Sequence, residues 1–260
     1  MSNSVPTLFL DPSRPAPQFH PIKALGHFRK LIADKEDTVQ VFHMTHCLPS
    51  RRFREQAQAF CESDQGRMLM RDEPYLPDML DDHEALLRHR EDSVAHAYVA
   101  FMRREGLTAA GLVAESEMAG RRKFDDQFQW FNNRLRDTHD LIHVLTGYGR
   151  DALGEQCALG FSSAQYSGMT DTFLAWAGGF ELKRRVKTDA PVFFAIAEAR
   201  KNGARAQRVY AQTIRTLLAE PLEVARARMG IGAPHQYRLA HDRYRARGID
   251  PYNFLAPVTA

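Results

Sequence analysis

Between Phe128 and Leu145 the apolar residues Phe128, Phe131, Leu135, Ile142 and Leu145 follow one another at intervals of three, four, seven and three. That spacing lays them along one stripe of an α-helix. The interval of seven skips a turn, and the residue four beyond Leu135 is His139, with His143 one turn later on the same face. A helix that carries two imidazoles where aliphatic side chains normally pack must provide them with partners, because an unpaired buried polar group is costly.

The same periodicity runs through most of the chain. Ile22, Leu25, Phe28 and Ile32 make a first stripe, and Phe53, Ala57 and Phe60 a second, with Gly66 as a break. A helical pattern resumes from Leu86 to Phe101 and closes near Gly106. Three long helices are predicted over Asp125–Thr146, Asp151–Leu182 and Pro191–Leu218. Only Thr38–Met44 has the β-branched alternation of a strand, and it reads equally well as a short helix or a loop. Five prolines from Pro6 to Pro21 disfavour a helix at the N-terminus. The predicted fold class is therefore all-α: an extended arm over 1–21, one helical domain over 22–234 and a short C-terminal tail over 235–260.

Composition narrows the function classes. Hydrophobic residues at 44% and charged residues at 26% are ordinary for a chain with a packed core. No run of about 18 apolar residues exists, so no helix is expected to span a bilayer. A net charge of +3, spread along the chain, argues against a nucleic-acid partner. Cys47, Cys61 and Cys157 make an odd count without a disulfide framework, and the N-terminus lacks a secretory pattern. A cytoplasmic location is the expectation. A homo-oligomer is compatible with the sequence, although no heptad pattern supports one.

The chemistry concentrates in His139-Asp140-Leu141-Ile142-His143. Asp140 lies about 100° round the helix from His139, near enough to converge on the same point. The helix is expected to end at Gly147-Tyr148-Gly149 and a new one to start near Asp151. In an antiparallel hairpin, residues equidistant from the turn lie level. Gly149 is six residues from His143 and six from Glu155, which places Glu155 opposite His143. Taken singly, a histidine can be a satisfied core residue, Asp140 can pair with Arg136, and Glu155 can answer a helix dipole. Together, two imidazoles and two carboxylates around one point call for a cation. His139, Asp140, His143 and Glu155 are the candidate metal ligands and catalytic residues. Mixed nitrogen and oxygen donors suit a divalent zinc, iron or manganese ion. The histidines at 43, 46, 83, 89 and 96 complete no comparable pattern.

H-D-x-x-H followed by eleven residues and Glu resembles the signature of the coenzyme Q biosynthesis protein four family. Arg134-Leu135-Arg136-Asp137, Gly154-Glu155, Gly66 with Pro74, the segment His96–Phe101, and Pro221-Leu222 with Arg226 are similar to further motifs of that family. The chain departs from it at the turn Gly147–Asp151 and at Leu159, where the family commonly has Lys, and the tail from His235 has no counterpart.

The resemblance implies a role in ubiquinone biosynthesis. The implied activity is metal-dependent oxidative decarboxylation, in which the C1 carboxylate of a polyprenylated hydroxybenzoate is replaced by a hydroxyl. The alternative it implies is a non-catalytic lipid-binding scaffold that organises the other ubiquinone-biosynthesis enzymes. Such a substrate implies an apolar groove, with Phe161, Ala164 and Gly168 on the helix after Glu155 as candidate walls, and Arg134 and Arg136 as candidates for an anionic head group. Tight helix packing is the competing explanation for those small residues. A lipid-tailed substrate also implies peripheral contact with the inner face of the cell membrane.

Overall fold

The computed structural model describes residues 6–34, 37–120 and 122–253. The first five residues of the expected arm and the last seven of the tail lie outside them. The described residues are all-α, as the sequence predicts, with an isolated bridge between Ser93 and Pro221 as the one β-type pairing among them. In order, the helices are α1 (Pro21–Ala33), α2 (Val39–Cys47), α3 (Arg51–Cys61), α4 (Asp64–Asp72), α5 (Pro77–Asp81), α6 (His83–Leu86), α7 (Val94–Glu105), α8 (Ala109–Met118), α9 (Gln127–Asp137) and α10 (His139–Thr146). They continue with α11 (Ala152–Tyr166), α12 (Met169–Arg185), α13 (Val192–Arg205), α14 (Ile214–Ala219), α15 (Leu222–Met229) and α16 (His235–Arg245).

The residues gather into two compact units, 1–141 with 208–225, and 142–207 with 226–260. In the first, Phe60, Phe131 and Tyr210 pack edge-on or tilted, with Tyr210 at 5.0 Å from Phe60 and 5.2 Å from Phe131. In the second, α11 packs on α12, α13 and α16. Glycines set its closest approaches: a Cβ on Gly203 of α13 would lie 2.2 Å from the Phe161 carbonyl oxygen of α11. The segment Thr38–Met44 resolves as helix, with Gln40, Met44 and Cys47 buried at helical spacing. Its neighbour α1 forms where expected, but Ile22 and Leu25 are exposed. The helix turns Ala24 inward, and His27 stacks on His43 of α2 at 4.9 Å.

The three long helices of the sequence reading are each interrupted. Thr138 separates α9 from α10 with φ −92° and ψ 1°, and its hydroxyl donates to the Arg134 carbonyl at 2.8 Å. That bond offers the backbone an alternative to the regular ladder. Ser167, at φ 57°, ends α11 before Gly168 caps α12. The third is broken after Arg205, where Ala206 is extended. Helix α1 opens at Pro21, and α16 follows an N-cap at Pro234. From there the tail forms a packed helix, with Tyr237, Ala240, His241 and Tyr244 buried.

The described part of the arm is tied to α9. Asp126 caps that helix by accepting the Gln129 N–H at 2.8 Å, and also takes the Asp11 N–H at 2.9 Å and Arg14 Nε–H at 2.5 Å. Burial acts to raise the Asp126 carboxyl, but the Arg14, Asp11 and Gln129 donors outweigh it and hold the group below its ordinary value. Asp126→Ala is expected to destabilise the protein at pH 7 by about 2 kcal/mol, combining a lost cap with lost charge-assisted bonds. A depressed folded pKa means that this contribution is present above about pH 4 and fades as pH falls through the folded value. Urea unfolding should therefore show the gap between variant and wild type shrinking from pH 7 to pH 3. A gap of constant size would mean that the carboxylate charge does not hold the arm.

Candidate metal centre

The site is built on α10, the turn that follows it, and α11. Helix α10 closes when the Gly147 N–H donates to the His143 carbonyl at 2.9 Å, with Gly147 at φ 77°. Only glycine adopts that conformation without strain. Arg226 fastens the same end, donating from Nε to the Leu145 carbonyl at 2.8 Å and from Nη2 to the Val144 carbonyl at 2.9 Å. These are carbonyls that a helix C-terminus leaves without partners. Helix α11 opens at Asp151, whose carboxylate accepts the N–H groups of Leu153 and Gly154, both at 3.1 Å.

The hairpin brings His139, His143 and Glu155 together, each offering one ligand atom with all three atoms within 4.8 Å of one another. His143 is buried, while His139 and Glu155 are partly exposed. His143 Nδ1 lies 3.1 Å from the Tyr148 carbonyl oxygen, which can only accept, so Nδ1 carries the proton. In the neutral ring this leaves the Nε2 lone pair directed at Glu155, whose Oε2 is 3.5 Å away. A lone pair and a carboxylate facing each other at that distance need a proton or a cation between them. Fixing the tautomer through the far ring nitrogen is also the usual support for a metal-ligating histidine. The donor set of two imidazoles and one carboxylate suits a divalent ion, and its partial exposure leaves one side for another ligand. Arg150 Nε approaches Glu155 Oε1 at 3.4 Å and holds the carboxylate from its other side.

Asp140 is buried but does not belong to this cluster. Its charge is felt by Tyr98, whose hydroxyl is pushed up first by burial and next by Asp140. Arg134 is enclosed, donating from Nη2 to Glu73 Oε2 at 2.9 Å and to the Gln212 carbonyl at 2.7 Å, and from Nε to the Tyr210 carbonyl at 2.6 Å. Arg136 binds Asp137 at 2.8 Å and the Ser116 hydroxyl at 3.0 Å. Phe161 is fully buried beneath Gly203 of α13, Ala164 is half-buried, and Gly168 forms the α12 N-cap. Arg226 stands out in the sequence only as part of a motif similar to the family's; one arginine among many in the final third of the chain carries no local sign of which helix end it serves.

Residues 29–235 match the family described as coenzyme Q (ubiquinone) biosynthesis protein Coq4. The chain belongs to this family. Among its relatives, the mitochondrial ubiquinone biosynthesis protein COQ4 homologue of Aedes aegypti is 30% identical over 93 residues, covering 36% of this chain and 32% of the relative. The mitochondrial ubiquinone biosynthesis protein coq4 of Pyrenophora tritici-repentis is 29% identical over 175 residues, covering 66% of this chain and 57% of the relative. The chain thus spans between about a third and somewhat over half of the length of these relatives. A crystal structure from Nostoc punctiforme PCC 73102, described as a candidate ubiquinone biosynthesis protein, superposes with a TM-score of 0.59. The match covers 83% of this chain and 100% of that one at 19% identity, a likeness of fold.

Proposed function

We propose that this Coq4-family chain acts in ubiquinone biosynthesis as a metal-dependent protein that exchanges the C1 carboxylate of a polyprenylated hydroxybenzoate for a hydroxyl. The observation that carries this reading is His143 Nε2 lying 3.5 Å from Glu155 Oε2 with a His139 ring nitrogen alongside, a donor set that a divalent ion would hold together. His139, His143 and Glu155 would hold the ion. Bound there, it supplies Lewis-acid polarisation of a carboxylate or phenolate oxygen. The net change replaces the carboxyl by a hydroxyl and releases carbon dioxide, a two-electron oxidation that balances when water supplies the hydroxyl oxygen and dioxygen takes up the two electrons and two protons as hydrogen peroxide. The chain's own part is to hold Glu155 through Arg150 and to keep the His143 proton on Nδ1 through the Tyr148 carbonyl.

His139→Ala separates the enzyme from the scaffold reading when folding, metal content and product are followed together. The expected outcome is a folded protein with little metal and product formation reduced on the order of 100-fold, since even outer partners of a metal cost about 10–100-fold. A folded, metal-free variant with undiminished product formation would remove the catalytic role and leave the lipid-binding scaffold.

Peripheral contact with a membrane is supported by an aromatic surface on α12 and α13. Among the described residues no helix is long and apolar enough to cross a membrane. Phe180 and Phe194 are 64% and 72% exposed, and Trp176 stacks on Phe193 at 6.3 Å with both partly open to solvent. Aromatic rings grouped at a surface suit the interfacial region of a bilayer. The double replacement Trp176→Ser with Phe180→Ser is expected to lower binding to anionic phospholipid vesicles about tenfold or more, given the apolar area withdrawn from lipid. Sedimentation that leaves wild-type binding intact would rule this face out.

A further inference from the structure

The Asp151 side chain, 0% exposed, receives more than a helix cap requires. Besides the Leu153 and Gly154 N–H groups, it accepts the Tyr237 hydroxyl at 2.5 Å and His241 Nε2–H at 3.1 Å. Those two donors come from α16, 86 and 90 residues further along the chain. The Tyr237 hydroxyl also accepts the Gly149 N–H at 3.0 Å, so one oxygen ties the middle of the turn to the residue that caps α11. Aromatic faces close round it: Tyr148 meets Tyr237 edge-on at 5.4 Å, and the His241 ring lies 4.2 Å from that of Tyr237. A Cβ on Gly149 would come within 2.7 Å of the Tyr252 hydroxyl and 2.9 Å of the Tyr237 hydroxyl, so the turn has no slack there.

The clamp stands directly behind the candidate ligands. Tyr148, on one side of Gly149, supplies the carbonyl that fixes the His143 tautomer. Asp151, on the other side, starts the helical turn that carries Glu155, whose N–H donates to the Asp151 carbonyl at 3.0 Å. A buried carboxylate is held in one position when several donors converge on it. A ligand one turn along a helix inherits the direction in which that helix leaves its cap.

We propose that Tyr237 and His241 are positioning residues of the metal centre, acting through Asp151 to set Glu155 and through the turn to set His143. This rests on the metal reading given above. The family match ends at residue 235, so both residues lie beyond it, and the C-terminal helix becomes part of the site's support.

The test is titration of the full-length chain with Co²⁺, followed by its visible absorption band, on wild type, Tyr237→Phe, His241→Leu and His241→Gln. Arg14→Ala, on the α9 arm, serves as a control for general loss of stability. Tyr237→Phe and His241→Leu are expected to bind Co²⁺ about tenfold more weakly, with a changed band intensity, as for other outer-partner losses. His241→Gln, which keeps an N–H donor near the Nε2 position, should restore wild-type affinity, and Arg14→Ala should retain it. Rescue by Gln is what a purely space-filling role would not produce. Wild-type Co²⁺ affinity in folded Tyr237→Phe and His241→Leu overturns the proposal, as does a His241→Gln as weak as His241→Leu. Should His241→Leu fail to fold, Tyr237→Phe and His241→Gln carry the decision. A wild type that takes up no Co²⁺ at all overturns the metal reading itself, and this inference with it, a result distinct from equal affinities.

Discussion

Arg134→Met is expected to destabilise the protein by about 3–5 kcal/mol, the range for breaking a buried ion pair from one side. The Arg134 and Glu73 side chains are 1% and 3% exposed and meet at 2.9 Å. Glu73 also accepts the Ile214 N–H at 3.1 Å and the Arg215 N–H at 2.9 Å, so its carboxylate cannot move out to water without uncapping α14. Removing the guanidinium leaves that charge buried and also withdraws the donors from the Tyr210 and Gln212 carbonyls. Unpaired charge is the larger part of the loss. Glu73→Gln added to Arg134→Met should therefore recover part of it, because it removes the unpaired charge while the one amide oxygen still accepts from either the Ile214 or the Arg215 N–H, which bind different oxygens of Glu73. Urea unfolding of both single variants and the double checks this. If the double variant loses the full sum of the two single changes, the buried charge is not the cause. An apparent melting shift of roughly 10 °C for Arg134→Met is the corresponding thermal expectation.

Glu155→Gln is expected to abolish stoichiometric divalent metal in the purified protein while leaving the fold in place. Glu155 is partly exposed, so the amide is tolerated sterically, and Arg150 Nε approaches it at 3.4 Å. The amide is neutral, and neutral oxygen is a weaker partner for a divalent cation than carboxylate. A loss on the order of 100-fold in affinity follows, at least that of an outer-shell change. Elemental analysis of wild type beside Glu155→Gln measures it and identifies the ion. Equal metal content in the two proteins would place any ion elsewhere and leave the His143–Glu155 pair to a shared proton.

Much of the centre was legible in the sequence because its geometry is local. His139 and His143 are one helical turn apart, and Glu155 lies level with His143 because a glycine turn sits midway between them; both follow from the helix repeat and hairpin symmetry. Asp140 shows the limit of that reasoning. A rotation of about 100° per residue is compatible with a fourth ligand or with a buried carboxylate outside the cluster, and periodicity alone does not choose between them. The breaks at Thr138 and Ser167 were not legible from periodicity, since they interrupt the backbone without disturbing the apolar pattern. Arg134 likewise looked available to a ligand until Glu73, 61 residues away in sequence, was brought against it.

The amino-acid sequence by itself determined the all-α class, the helical stripe and the spacing of two imidazoles and a carboxylate, all of which depend on residues within a turn or a single hairpin. The tertiary structure alone decided that Arg134 is spent on a buried ion pair, that Arg226 closes α10, and that Tyr237 and His241 hold the Asp151 cap. Partners of that kind lie 61 to 90 residues apart along the chain. No local hydrogen-bond pattern links them; they meet because apolar helix faces pack, and the polar groups trapped by that packing must satisfy one another.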